Sequence, residues 1–86
     1  MDIEQLLNHI LDYEEEVSTY ELSISTIQTL MTLYTKAIEY YSAMDNLTQT
    51  GELLSRMQTM MGREDVSIVL NSYEDESKYY SLINNL

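Results

Sequence analysis

The chain has 86 residues, no cysteine and no proline, and 15 acidic against four basic side chains give it a formal net charge of −11. A chain of this length forms a single domain, here residues 1–86, and without cysteine it has neither a disulfide framework nor a thiol nucleophile. Nucleic acid and anionic membranes bind surfaces rich in Lys and Arg, so we expect neither as a direct partner and instead expect a basic protein.

No targeting or membrane-spanning segment is predicted. The N-terminus lacks the basic and apolar blocks of a signal peptide. No apolar run approaches the ~20 residues that a membrane-spanning helix needs. These features favour a cytoplasmic protein, in the host cell if the chain is phage-encoded.

The first half of the chain carries an apolar heptad pattern. Twelve side chains follow alternating three- and four-residue spacings: Ile3, Leu6, Ile10, Tyr13, Val17, Tyr20, Ile24, Ile27, Met31, Tyr34, Ile38 and Tyr41. Consecutive heptads with both seam positions filled are typical of a coiled coil. The pattern predicts one helix over about 3–44, which would be ~60 Å long. Such a helix must pack against its own downstream helices, a second copy or another protein.

The apolar face of this predicted helix widens after Ile27. Its additional apolar side chains are Leu30, Leu33, Ala37, Tyr40, Ala43 and Met44. A wide face contacts more than one neighbouring helix. We therefore expect the C-terminal half of the helix to form the base of a small bundle, while the N-terminal half projects or pairs with something else.

Two shorter helices are predicted downstream. Asp45 and Asn46 interrupt the seam, and a second helix is expected over about 50–61, capped by Thr48 or Thr50. Its apolar face comprises Leu53, Leu54, Met57, Met60 and Met61. Gly62 suits a left-handed residue after the helix, and a third helix is expected over about 64–83. The predicted fold is all-α, a coiled-coil or helical-bundle architecture.

The N-terminal part of the seam is the predicted partner surface. It consists of Ile10, Tyr13, Val17, Tyr20 and Ile24. In a parallel homodimer Glu16 would face Glu21 of the other chain with no Lys or Arg nearby, and tyrosine would occupy seam positions where parallel dimers prefer leucine. We therefore expect antiparallel self-association or a basic partner helix.

A second candidate surface is acidic, because residues 1–21 contain seven carboxylates and no Lys or Arg. The predicted acidic face comprises Asp12, Glu14, Glu15, Glu16 and Glu21. It is either a solvated face or a binding patch for Lys and Arg. In size and charge the chain is similar to small acidic phage proteins, such as some anti-CRISPR inhibitors and nucleic-acid mimics. That similarity of composition implies inhibition of a basic nucleic-acid-binding protein.

No residue set has the spacing of a catalytic, cofactor or metal site. His9 is the single histidine, and with Asp12 it falls short of a metal-ligand set. Neighbouring carboxylates from Glu14 to Glu16 point ~100° apart on a helix and cannot share a substrate. Phosphate-binding and calcium-binding loops are also missing from the sequence. We expect no enzyme, no cofactor and no metal.

The sequence thus leaves three functions open. The first is a non-enzymatic interaction module that self-associates or binds a partner through the seam. The second is a phage-type inhibitor that blocks a basic nucleic-acid-binding protein with its acidic face. The third is a structural subunit of a larger helical assembly.

Overall fold

A computed structural model describes residues 2–19 and 22–72 of the chain. Its helices are α1 (Ile3–Thr19), α2 (Ile24–Ala43) and α3 (Leu47–Met61). Residues 64–72 are also helical and are called α4 here. No strand occurs within the described ranges, and the helices pack against one another as a bundle. The predicted all-α class is confirmed.

The prediction of one helix over about 3–44 is wrong. Helix α1 ends at Thr19 and α2 begins at Ile24. Ser23 between them has an extended backbone, with φ −123° and ψ 148°, and its hydroxyl accepts a hydrogen bond from the Thr26 backbone N–H at 3.2 Å. Serine is a strong N-cap because it satisfies one of the free N–H groups that begin a helix. The apolar heptad pattern continues through this position, but the helix is interrupted.

Breaking the helix lets the heptad seam close on itself. Helix α1 packs against α2, and Glu14 contacts Tyr34, whereas Ile3 and Tyr40 line one pocket. The start of α1 therefore lies near the end of α2, and the two helices form an antiparallel hairpin. The expectation that the N-terminal half projects from the bundle or pairs with something else is thus wrong, because it packs on α2 of the same chain.

The turn between α2 and α3 lies at the predicted interruption. Asp45 has φ 55°, a left-handed conformation that aspartate tolerates better than most residues. The Asn46 side chain accepts a hydrogen bond from the Gln49 backbone N–H at 3.2 Å and caps α3. Because Asn46 is the cap rather than Thr48 or Thr50, α3 begins at Leu47 and not at about 50.

Helix α3 ends at Met61, as predicted, but Gly62 does not adopt the predicted left-handed conformation. Its φ of −80° and ψ of −8° lie in the right-handed region. Its N–H donates to the Gln58 carbonyl at 2.9 Å, which is an ordinary helical contact. The predicted third helix agrees with α4 over 64–72, and its extension to about 83 lies outside the described residues.

Helix α2 is the centre of the packing. Both α1 and α3 pack against it, and it supplies five of the buried apolar side chains. The core comprises Leu6, Ile10, Val17, Ile27, Leu30, Leu33, Tyr34, Ala37, Leu53, Met60 and Val66. The wide apolar face that follows Ile27 is therefore what holds two neighbouring helices at once.

Gly51 lies inside α3, where glycine is the weakest helix former after proline. It is exposed, its φ is not positive, and a Cβ added there would meet no atom within 4 Å. Neither the backbone conformation nor packing among the described residues requires a glycine at this position.

Replacing Gly51 with alanine should therefore stabilise the monomer by about 0.5–1 kcal/mol, because alanine loses less backbone entropy in a helix. Urea unfolding followed by circular dichroism at low protein concentration measures this change. Gly62→Ala is the matched control, since its added Cβ would lie 3.2 Å from the Gln58 carbonyl oxygen. Equal gains at both positions would contradict this account of Gly51.

Candidate interaction surface on α1

The predicted partner seam is largely closed by the chain's own packing. Ile10 and Val17 are buried in the core, and Tyr13 and Ile24 are half-buried. Tyr20 lies outside the described residues. The seam faces inward because α1 and α2 fold back as a hairpin, so Ile10 and Val17 do not form an open surface for a partner.

Glu14 is paired inside the molecule rather than free on the acidic face. Arg56 of α3 donates from Nη2 to Glu14 Oε1 at 2.5 Å and from Nε to Oε2 at 3.2 Å. The hydroxyl of Tyr34 on α2 donates to Oε2 as well. The fork of a guanidinium matches a carboxylate at two points, which makes this pairing stronger and more directional than one with lysine. One cluster, Glu14–Tyr34–Arg56, thus joins three helices.

The cluster is shielded from water to different degrees. Tyr34 is fully buried, and the side chains of Glu14 and Arg56 are 22% and 29% exposed. Burial raises the pKa of the Tyr34 hydroxyl, and its hydrogen bond to Glu14 and the charge of that carboxylate raise it further. The hydrogen bond to Glu14 likewise raises the pKa of Arg56. Tyr34 therefore remains a protonated donor at neutral pH.

A second arginine reaches α1 from the turn after α3. Arg63 Nη1 donates to Ser18 Oγ at 3.3 Å, and Arg63 also forms an ion pair with Asp65 at 2.6 Å. This guanidinium holds the pKa of Asp65 below its usual value. Helices α1 and α3 each pack on α2, and a cleft of about 320 Å³ between them is lined by Glu14, Ser18, Arg56 and Arg63 among others. Both arginines of the chain therefore lie along this cleft and are paired with carboxylates.

The remaining predicted acidic residues divide into two groups. Asp12, Glu15 and Glu16 are exposed on α1, and Glu21 lies outside the described residues. Asp12 is three and four residues from Glu15 and Glu16, so all three side chains share one side of the helix. Helix α1 contains no Lys or Arg. These three carboxylates, called the α1 acidic face below, can bind cationic groups.

The position of the α1 acidic face is electrostatically unfavourable for the helix itself. Glu16 lies in the last turn of α1 and Glu15 directly before it, and the helix ends at Thr19 without a basic residue in its last turn. The C-terminal end of a helix carries partial negative charge, so carboxylates there cost a few tenths of a kcal/mol. Helix stability therefore does not explain the two glutamates.

The described residues hold no group of three or more His, Cys, Asp or Glu side chains arranged to bind a metal ion. His9 and Asp12 are both exposed. Over the same residues, no helix is both long enough and apolar enough to cross a lipid bilayer.

The sequence matches no known protein-family model, and no curated protein and no solved structure is significantly similar to it.

Glu14 and Glu15 are adjacent in sequence but should respond differently to neutralisation. Glu14→Gln leaves the partly buried Arg56 without its counter-charge, and we expect the free energy of unfolding to fall by about 1–3 kcal/mol. Glu15→Gln is the matched control and should change it by less than about 0.5 kcal/mol. Urea unfolding measures both.

A double-mutant cycle separates the ion pair from other effects of these substitutions. Arg56→Met should cost less in the Glu14→Gln background than in the wild type, because the contact it removes is already weakened. Fully additive costs would contradict the direct coupling of Glu14 and Arg56.

Tyr34 should also make the protein less stable at alkaline pH. In the unfolded chain tyrosine ionises near pH ~10, whereas in the folded chain the Tyr34 pKa is raised, so above pH ~10 only the unfolded state loses the proton. The contribution of the Tyr34 hydroxyl to the free energy of unfolding is complete below pH ~10 and declines above it by up to ~1.4 kcal/mol per pH unit. Tyr34→Phe should remove this decline, whereas the exposed Tyr40→Phe should retain it in urea unfolding at successive pH values. An unchanged decline in Tyr34→Phe would contradict the assignment.

Proposed function

We propose that the protein is a non-enzymatic interaction module that binds a basic protein through the α1 acidic face, Asp12, Glu15 and Glu16. The observation that supports this most directly is the contrast with Glu14. Arg56 pairs with Glu14, whereas the three neighbouring carboxylates are exposed on a helix without any basic residue. This proposal replaces binding through the seam, because Ile10 and Val17 are buried.

The distribution of positive charge supports the same surface. Arg56 and Arg63 are paired with Glu14 and Asp65 along the cleft between α1 and α3. They therefore neutralise Glu14 and Asp65 and leave the outward side of α1 negative. A concentrated negative patch accelerates the encounter with a basic partner and orients it.

A second candidate function is the inhibition of a nucleic-acid-binding protein by mimicry of phosphates. Glu4, Asp12, Glu15 and Glu16 are exposed along α1. Glu4 and Glu16 are twelve positions apart, which spans ~18 Å of helix, a length over which one DNA strand presents about five phosphates. Four carboxylates over that length approach the charge density that a phosphate-binding groove recognises.

The test compares variants of equal net charge as immobilised bait in an extract of the cells that express the protein. One variant neutralises the α1 acidic face, Asp12→Asn/Glu15→Gln/Glu16→Gln. The matched control neutralises three exposed glutamates elsewhere, Glu39→Gln/Glu52→Gln/Glu64→Gln. We expect the wild type and the control to retain a basic protein that the first variant loses. Mass spectrometry identifies and quantifies the retained proteins.

Salt dependence and competition separate the two candidate functions. Binding through exposed carboxylates should be lost between about 0.1 and 1 M salt, where the Debye length falls from ~10 to ~3 Å. If the retained protein is also displaced by duplex DNA, phosphate mimicry is supported. If DNA does not displace it, the partner recognises the acidic helix in its own right. Equal loss of binding by both triple variants would reject the α1 acidic face as the site.

A further inference from the structure

Apolar side chains lie exposed along one side of α3. Leu47, Leu54 and Met61 are 79%, 38% and 47% exposed. They follow one another at seven-residue intervals, so they form a single line along the helix, called the α3 stripe below. Leu53 and Met60 face the core instead. Helix α3 thus has a second apolar side that the described chain does not cover.

We propose that the α3 stripe pairs with the α3 stripe of a second copy of this chain, antiparallel, about a two-fold axis at Leu54. The inference is independent of the binding proposed for the α1 acidic face. Its basis is the charge distribution, the symmetry of the stripe and the glycine at position 51.

Charge favours α3 over α1 as the meeting surface of two copies. Helix α1 carries five carboxylates and no basic residue, whereas α3 carries only Glu52 and Arg56, whose charges cancel. Both lie two residues from Leu54 and hence ~160° around the helix from it. Two molecules of net charge −11 can therefore meet at α3 without bringing the carboxylate of that helix, Glu52, into the contact.

The spacing of the stripe is self-complementary. A two-fold interface requires that if one residue contacts another, the second contacts the first across the axis. Leu47 and Met61 lie seven residues on either side of Leu54. In an antiparallel pair centred on Leu54, Leu47 meets Met61 of the second copy at both ends, and the two Leu54 side chains meet at the axis.

The same register accounts for Gly51. Its exposed surface borders the stripe, ~60° around the helix from Leu54, and a Cβ there would meet nothing within the described chain. In this register Gly51 lies on the same flank of the contact as the exposed Gln58 of the second copy. The missing side chain leaves room for that glutamine and lets the helices approach closely. Gly51 weakens α3 in the monomer but is thus suited to the contact between two α3 helices in the proposed dimer.

The dimer should be weak and concentration-dependent. Helix α3 has 15 residues and is ~22 Å long, so one helix pair buries less than the ~800 Å² per partner of a standard stable interface. Sedimentation equilibrium of the full chain should show a mass that rises from 10.1 kDa towards twice that value as concentration increases. Leu54→Glu should raise the dissociation constant at least tenfold, since it places two charges at the axis.

Disulfide trapping tests the register directly, because the natural chain has no cysteine. Leu54→Cys should form a covalent dimer on mild oxidation. Leu11→Cys, 56% exposed on α1, is the matched control and should form far less. Leu47→Cys and Met61→Cys should each cross-link poorly alone, since identical sites lie ~21 Å apart in the antiparallel pair. Mixed together, these two variants should cross-link to each other.

Three outcomes would overturn the proposal. The first is trapping of Leu54→Cys no greater than that of Leu11→Cys. The second is self-trapping of Leu47→Cys as strong as the mixed reaction, which would indicate a parallel pair. The third is a Leu54→Cys variant that is monomeric at all concentrations and whose introduced thiol resists alkylation, which would mean that another segment of the chain covers the stripe. Leu54→Glu leaves the α1 acidic face intact, so partner retention in the extract experiment should be unchanged and the two proposals fail separately.

Discussion

The ion pair between Glu14 and Arg56 and the buried apolar side chains of α1, such as Ile10 and Val17, turn the same side of that helix towards the bundle. Helices α1 and α3 both pack on α2, and the Glu14–Arg56 ion pair crosses the cleft between α1 and α3. The hydroxyl of Tyr34 on α2 donates a hydrogen bond to the same carboxylate. Successive helical residues point ~100° apart. Once Glu14 turns towards Arg56, its neighbours Glu15 and Glu16 must turn away from it. The exposed acidic face is therefore a geometric consequence of the side of α1 that is turned inward.

The sequence predicts the class of the fold better than its connectivity. A heptad pattern records only which positions are apolar, and those positions face inward both in a straight coiled coil and in an antiparallel hairpin. The break is marked by Ser23, whose side chain accepts a capping hydrogen bond from the Thr26 N–H; this bond is worth about 1 kcal/mol and leaves no trace in the apolar pattern. By contrast, Asp45 and Asn46 break the pattern itself, and the end of α2 could therefore be predicted.

For the candidate site, the sequence likewise predicts which carboxylates are exposed on α1 better than it predicts the partners of Glu14. Proximity in the sequence grouped Glu14 with Glu15 and Glu16, and exposed positions on α1 follow from its helical periodicity. The partners of Glu14 lie 20 and 42 residues away, at Tyr34 and Arg56. Such contacts depend on the arrangement of three helices, and no local motif encodes them. One available signal was the position of Glu14 beside the apolar seam, where a carboxylate needs a partner once the seam is buried.

The two proposed surfaces lie on different sides of the molecule and so can act together. Arg56 reaches α1, and Leu54, two residues earlier, lies ~160° around α3 from it, so the α3 stripe faces away from α1. A dimer formed through the stripe would keep both α1 acidic faces exposed and at a fixed separation. A partner with two basic sites at that separation would bind the second face at a raised effective concentration. Weak self-association could thus strengthen binding at a surface that it does not touch.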